Sequence, residues 1–277
     1  VVTNIFAAFV RSSRVAGRKL WAGIKMSTIA LYCHIAAPFC RSVLLLAKAL
    51  GIEVNLIKLD VLSGEQFKPK FLELNPQHCV PTLVDGDVVV WESNAILIYL
   101  AEKYGTEERS YYPKDIAERA QVNRLLFFQL GTLHRALSTY YFPILAGIGE
   151  GKPEDFRKVL DAVNILDKFL DGNKWLAGDK LSVADFSTVI TVASLDGIEI
   201  FDLTRFQHIS RWYQQCKDEF IGFKELTMEA VEKSKECIEA LRQLKRNEFQ
   251  QANKPSCSSE GSNERKSSVS NKPNSLS

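Results

Sequence analysis

The stretch from Leu74 to Leu100, LNPQHCVPTLVDGDVVVWESNAILIYL, restricts the possible folds more than any other part of the chain. Val80-Pro81 leads from a polar loop into the apolar run Thr82-Leu83-Val84, and an X-Pro bond entering a strand is where a cis peptide is most favoured. Asp85-Gly86 is a strong hairpin signal, with Val88, Val89 and Val90 as the returning strand, so the two strands should pair antiparallel. Glu92-Ser93-Asn94 then precedes Ala95, Ile96, Leu97, Leu100 and Tyr104, an apolar spacing that predicts a helix. The start of such a helix offers free N–H groups and the positive end of the macrodipole, a setting that favours a ligand carboxylate. For Ser93 taken alone, a plain helix cap is the simpler reading.

Upstream, Ile29-Ala30-Leu31-Tyr32 reads as a short buried strand, Pro38 opens a helical run through Leu50 that Gly51 ends, and Val54 to Leu59 forms a second strand. Two strands separated by a helix should lie parallel. A helix around Phe67 to Leu74 leads back to the central stretch. Downstream the pattern is helical only. Asp115-Ile-Ala-Glu118 resembles a capping box, followed by a long run carrying Val122, Leu125, Leu126, Phe128, Leu133, Leu137 and Tyr141. Phe156 to Leu170 is a second amphipathic helix. Ser182-Val-Ala-Asp185 is a cleaner capping box, opening a nearly all-apolar helix through Leu195 that should be buried on every side. Phe206 to Cys216 and Leu226 to Leu244 complete the bundle.

Composition narrows the function classes. The 35 basic and 33 acidic residues leave almost no net charge, which gives nucleic acid or a membrane surface no electrostatic hold. No apolar run reaches the length needed to span a bilayer. Six cysteines (Cys33, Cys40, Cys79, Cys216, Cys237, Cys257) occur without C-x-x-C pairs, a pattern of reduced thiols rather than a disulfide framework. The Cys33-His34 and His78-Cys79 neighbours lack metal-ligand spacing, so no metal is expected. Residues 1–25 carry five basic residues and no acidic ones, like a mitochondrial transit segment, but Met26 stands just before the first strand. We read residues 1–25 as a leader or upstream extension outside the fold, and the Ser-rich residues 248–277 as a disordered tail.

The combination NPQH-x-VP, hairpin, then W-E-S-N-A-I resembles the glutathione-binding half of the cytosolic glutathione transferases, and is most similar to the insect delta and epsilon classes. The resemblance runs over roughly residues 28–240. It implies a thioredoxin-like α/β domain at 26–105, a linker at 106–113, and an all-α substrate domain at 114–247. It further implies a cytoplasmic homodimer that uses glutathione as cosubstrate and conjugates or isomerises a small hydrophobic electrophile. On the matching positions, Glu92 and Ser93 would hold the γ-glutamyl end, the backbone of Val80, exposed by Pro81, would pair with the cysteinyl amide, and His78 would lie near the glycine carboxylate. Gln66 and Asn94 stand where the delta pattern has a second polar contact, usually His, and often Arg. His134, Tyr140, Tyr141 and Phe142 are the aromatic candidates for the hydrophobic site.

One departure is larger. Delta and epsilon enzymes carry a thiolate-donating serine four residues before the arginine of the first helix, and counting back from Arg41 gives Ala37. The run Ala37-Pro38-Phe39-Cys40-Arg41 also resembles the C-P-F-C of glutaredoxins and omega transferases, whose nucleophilic first cysteine is again replaced by Ala37. The remaining candidates for activating the thiol are the helix start near Phe39 and Cys40, and the Cys33-His34 pair. Ala37 therefore leaves a second reading open, a catalytically weak or inactive binder of glutathione and hydrophobic ligands. A third, thiol reduction through Cys40 or Cys33, ranks last.

Overall fold

The computed structural model describes residues 29–34, 37–61, 63–145, 149, 151–197 and 202–232. The segments expected to form a leader (1–25) and a tail (248–277) lie outside the described residues, as does the end of the run expected to reach Leu244.

The N-terminal half builds a four-stranded sheet in the order β2-β1-β3-β4, from β1 (Ile29–Cys33), β2 (Val54–Lys58), β3 (Thr82–Asp85) and β4 (Val88–Trp91). β1 and β2 pair in parallel, while β3 runs antiparallel to both β1 and β4. Helix α1 (Pro38–Leu50) makes the crossover. Proline occupies its first turn, and Gly51 ends it in the left-handed region (φ 73°), returning its N–H to Ala47 and Lys48.

The helix expected around Phe67 to Leu74 is in fact broken. A 3₁₀ turn over Glu65–Phe67 precedes α2 (Pro69–Leu74), with Lys68 extended between them. Pro69 is the cause, because its ring crowds the residue before it out of the helical region. Helix α3 (Ser93–Tyr104) follows the hairpin. Asp85 in the hairpin accepts hydrogen bonds from Tyr99 (2.9 Å), Lys103 (2.7 Å) and Tyr104 (2.6 Å), which ties the turn to the far end of α3.

The regular elements of the C-terminal half are helices, apart from an isolated bridge between Trp175 and Gly178. α4 (Ile116–Phe128) is capped by Asp115, whose carboxylate accepts from the N–H groups of Ala117 and Glu118. It continues as a π-helical segment, Gln129–His134, and then as α5 (Arg135–Leu145). α6 (Pro153–Phe169) starts three residues earlier than expected because Pro153 fits its first turn. α7 (Val183–Gly197), a 3₁₀ turn (Leu203–Arg205), α8 (Gln207–Glu219) and a π-helical segment (Lys224–Met228) complete it.

Every residue of α7 from Val183 to Ala193 is buried, as its nearly all-apolar run predicts. α7 packs against α1 as well as α3 and α4, so the buried face of the sheet domain and the bundle share one core. Asp185 anchors it. Its carboxylate accepts from the N–H groups of Leu176 (3.0 Å) and Ser182 (3.0 Å), the Ser182 hydroxyl (3.1 Å) and the Trp212 indole (2.9 Å). The Ser182-Asp185 box is a folding device.

Candidate active site

The loop before β3 is organised by a buried asparagine. Asn75 donates to the Cys79 carbonyl (3.1 Å) and the Thr82 hydroxyl (2.8 Å), and its own side-chain oxygen accepts from the Gln77 N–H (2.9 Å). Complete burial makes these bonds worth more than surface ones, because an unmet polar group there is costly. The loop ends on Val80-Pro81, which is cis, leaving the Val80 backbone at the mouth of β3.

Among the described residues two non-glycine residues have positive φ, His78 (46°) and Glu92 (69°). Such conformations cost about 1–3 kcal/mol and persist only where neighbours enforce them. Gln77 supplies part of that enforcement by bridging the Trp91 indole (3.0 Å) and the Glu92 carboxylate (2.8 Å). The Glu92 carbonyl accepts from the Ile96 N–H (3.0 Å), while no side chain caps α3. Ser93, its first residue, is half-exposed and has no side-chain partner among the described residues. The start of α3 thus presents open N–H groups and a free hydroxyl just beyond the end of the hairpin where Thr82 pairs with Trp91, the end at which Val80-Pro81 leads into β3.

The other expected residues are placed less uniformly. His78 is exposed and lies on the ring of Phe67 at 4.9 Å. Gln66, next to Phe67, donates to the Val61 carbonyl (3.2 Å), and its buried side-chain oxygen has no partner among the described residues. Asn94 is turned into the bundle, where its amide donates to the Leu126 carbonyl (3.2 Å) and accepts from Ser187 (2.6 Å). Gln129 joins that cluster, lying 3.4 Å from Asn94 and donating to Thr191 (2.9 Å). Where Arg would reach outward, Asn94 fastens the start of α3 to α4 and α7.

At the start of α1, Ala37 has no side chain able to cap, and no acidic residue stands in the first turn. The positive end of the helix is therefore uncompensated by its own sequence. Cys40 is fully buried, and burial pushes its thiol up to about 12. Cys33, 2% exposed, is likewise raised by burial. Burial disfavours the thiolate at both positions, which argues against the thiol-reduction route. His34 bonds through Nδ1 with the Leu59 carbonyl (3.0 Å), a contact between strand ends.

Across from this helix start stands His134, whose ring meets that of Phe39 edge-on at 4.5 Å. Tyr140 turns instead on to α6, against Phe156 at 5.2 Å. Tyr141 is buried in the core and Phe142 is 61% exposed. The two tyrosines follow the usual fate of an aromatic stripe at helical spacing, which is packing.

Comparison with known proteins now decides what this site belongs to. Residues 27–102 match the family "Glutathione S-transferase, N-terminal domain" and residues 132–219 match "Glutathione S-transferase, C-terminal domain". "Glutathione S-transferase D6" of Drosophila melanogaster is 40% identical over 195 residues, covering 70% of this chain and 90% of the relative. The chain belongs to the glutathione S-transferase family. Among solved structures, this transferase is similar to a delta-class enzyme of Nilaparvata lugens, with a TM-score of 0.73 and 38% identity, covering 77% of this chain and 99% of that one. An epsilon-class enzyme of Musca domestica gives a TM-score of 0.72 at 29% identity, covering 77% and 98%. The protein is a glutathione transferase with the thioredoxin-like and helical domains of that family, and glutathione is its cosubstrate. Among the described residues no cluster of three metal-ligating side chains occurs, and no helix is long and apolar enough to cross a membrane.

Three features escaped sequence reasoning. Asn75 and Gln77 lay within the quoted motif, and only the Asn-Pro turn signal pointed to the first. The polar cluster of Asn94, Gln129, Ser187 and Thr191 joins residues that no local pattern connects.

Proposed function

We propose that this transferase binds the γ-glutamyl carboxylate of glutathione at the start of α3 and activates the thiol with the start of α1, without a side-chain donor. The observation that carries the reading is the coincidence of backbone strain with the site. His78 and Glu92, each matched to a glutathione contact, are the two non-glycine residues held at positive φ among those described. Ser93 and the Val80 backbone complete the grip, with Pro81 shaping the turn and Gln66 and His78 reaching toward the glycine end. Asn94 contributes through its backbone position, its amide being engaged in the bundle.

A helix N-terminus lowers the pKa of a thiol placed against it. Here it stands alone, since Ala37 offers no hydroxyl. A hydroxyl restored at that position should add a hydrogen bond to the thiolate worth about 1 kcal/mol. Ala37→Ser is therefore expected to raise kcat/KM for glutathione at neutral pH about fivefold and to stabilise α1 as an N-cap. Steady-state kinetics checks this; unchanged kcat/KM would mean that the thiol lies away from the start of α1.

The electrophile site is proposed in the cleft between the start of α1 and the π-helical segment, where Phe39 and His134 meet. The enzyme is proposed to act in a reducing, cytoplasm-like compartment, supported by the four free thiols among the described residues. It is proposed to be a homodimer. Phe127 (75% exposed) and Leu130 (43% exposed) lie three residues apart on the outer face of the long helix, an apolar pair suited to a second copy. Phe127→Glu combined with Leu130→Glu is expected to turn dimer into monomer in sedimentation velocity. A wild-type protein that sediments as a monomer would contradict the assignment.

A further inference from the structure

β1 ends at Cys33, and His34 is the residue with which the chain leaves the sheet on its way to α1. Its backbone is bonded into the turn that opens the helix. The His34 carbonyl accepts from the Ala37 N–H (2.8 Å), and the Ala37 carbonyl accepts from the Cys40 N–H (3.1 Å). The side chain is held from the other side. Nδ1 lies 3.0 Å from the Leu59 carbonyl, and the Leu59 N–H donates to the Cys33 carbonyl (2.9 Å), so the ring is fastened across the ends of β1 and β2.

That contact fixes the chemistry of the ring. A carbonyl oxygen can only accept, so Nδ1 carries the hydrogen, and in the neutral imidazole the lone pair then sits on Nε2. Among the described residues Nε2 has no hydrogen-bond partner, and His34 is only half-buried, which leaves this nitrogen open to a bound molecule. No other side chain of the turn can take up a proton: Ala37 has no functional group, and Cys33 and Cys40 are buried thiols in which the thiolate is disfavoured. An imidazole with one nitrogen tied to a carbonyl and the other bare, beside the place of a nucleophile, is the arrangement of a general base.

We propose that His34 is a catalytic residue, the base that takes the thiol proton of glutathione at the start of α1. The assignment rests on the reading above, in which the thiol lies against that helix start, and adds to it where the proton goes. The S–H bond breaks, its electron pair stays on sulfur, and the proton moves to Nε2. The helix start holds the negative sulfur, while the imidazolium keeps its Nδ1–H on the Leu59 carbonyl. When the sulfur displaces a leaving group from the electrophile, the proton passes from Nε2 to water and the base is restored.

Two measurements on the full chain read these steps separately. Ultraviolet absorbance reports the thiolate formed when glutathione binds. Binding calorimetry in buffers of different ionisation enthalpy counts the protons released, relative to S-methylglutathione, which has no thiol proton. The wild-type protein is expected to form the thiolate while releasing far fewer protons than thiolates. His34→Asn keeps an N–H for the Leu59 carbonyl and removes the base; it is expected to release one proton for each thiolate formed and to lower kcat/KM for glutathione about tenfold. One proton released per thiolate by the wild-type protein would overturn the base assignment while leaving the thiol at the start of α1. Bound glutathione without any thiolate would overturn the reading beneath it, and the inference with it. The wild-type proton count decides between these outcomes even if the variant fails to fold.

Discussion

Asp185→Ala should destabilise the protein by about 4–6 kcal/mol, enough to leave a large fraction unfolded at physiological temperature. The carboxylate is fully buried and is the acceptor for four donors: the Leu176 N–H, the Ser182 N–H and hydroxyl, and the Trp212 indole. Alanine leaves all four without an acceptor, and each buried donor so stranded costs about 1–3 kcal/mol. A typical domain has only about 5–15 kcal/mol in total. Burial raises the folded carboxyl to about 6, the four hydrogen bonds opposing a further rise. An unfolded carboxyl titrates near ~3.9, so between these values the native state keeps a proton that the unfolded chain has released. This group's contribution to stability therefore falls as pH rises through that window and is level above it. Urea unfolding at pH 7.5 reads the ionised form. A midpoint change corresponding to less than about 1 kcal/mol would show that the box is not the anchor of α7.

Ser93→Ala should raise the KM for glutathione about thirtyfold with little change in protein stability. A hydroxyl bonded to a carboxylate is worth about 1.5–3 kcal/mol, and a 2 kcal/mol loss corresponds to a factor of about thirty. In the protein by itself the Ser93 hydroxyl has no partner among the described residues, and α3 has no side-chain cap to lose. The effect should therefore fall on binding alone. Calorimetric titration with glutathione, alongside thermal unfolding, distinguishes this from the simpler capping role. A drop in melting temperature with unaltered affinity would make Ser93 a helix cap and nothing more.

The legible parts of the fold were those governed by neighbours in sequence. Pro38 and Gly51 bound α1, Asp85-Gly86 makes the hairpin, and Ser182 with Asp185 opens α7, each through backbone preferences a few residues wide. The break at Lys68 was equally local, since Pro69 announces it, but helical spacing across Phe67 to Leu74 masked it. Other features depend on packing between distant segments. The π widening at Gln129 accompanies side-chain bonds to Asn94, Ser187 and Thr191, up to 62 residues away in sequence. For the proposed site, the motif names His78, Val80, Glu92 and Ser93 as a group, whereas the orientation of Asn94 into the bundle and of Tyr140 toward Phe156 follows from what stands across from them. Cys40 could be weighed by sequence only as helix packing or a redox thiol; its complete burial decides for packing.

The central claim is that the start of α1 activates the glutathione thiol although Ala37 provides no donor. A pH titration of thiolate ultraviolet absorbance, for glutathione bound to the full chain and for free glutathione, tests it most directly. An ordinary thiol titrates near ~8.5. We predict saturable binding with the bound thiol depressed by about one unit or more. Saturable binding with an unshifted titration would contradict the mechanism and favour a binding protein that keeps the glutathione site without its chemistry.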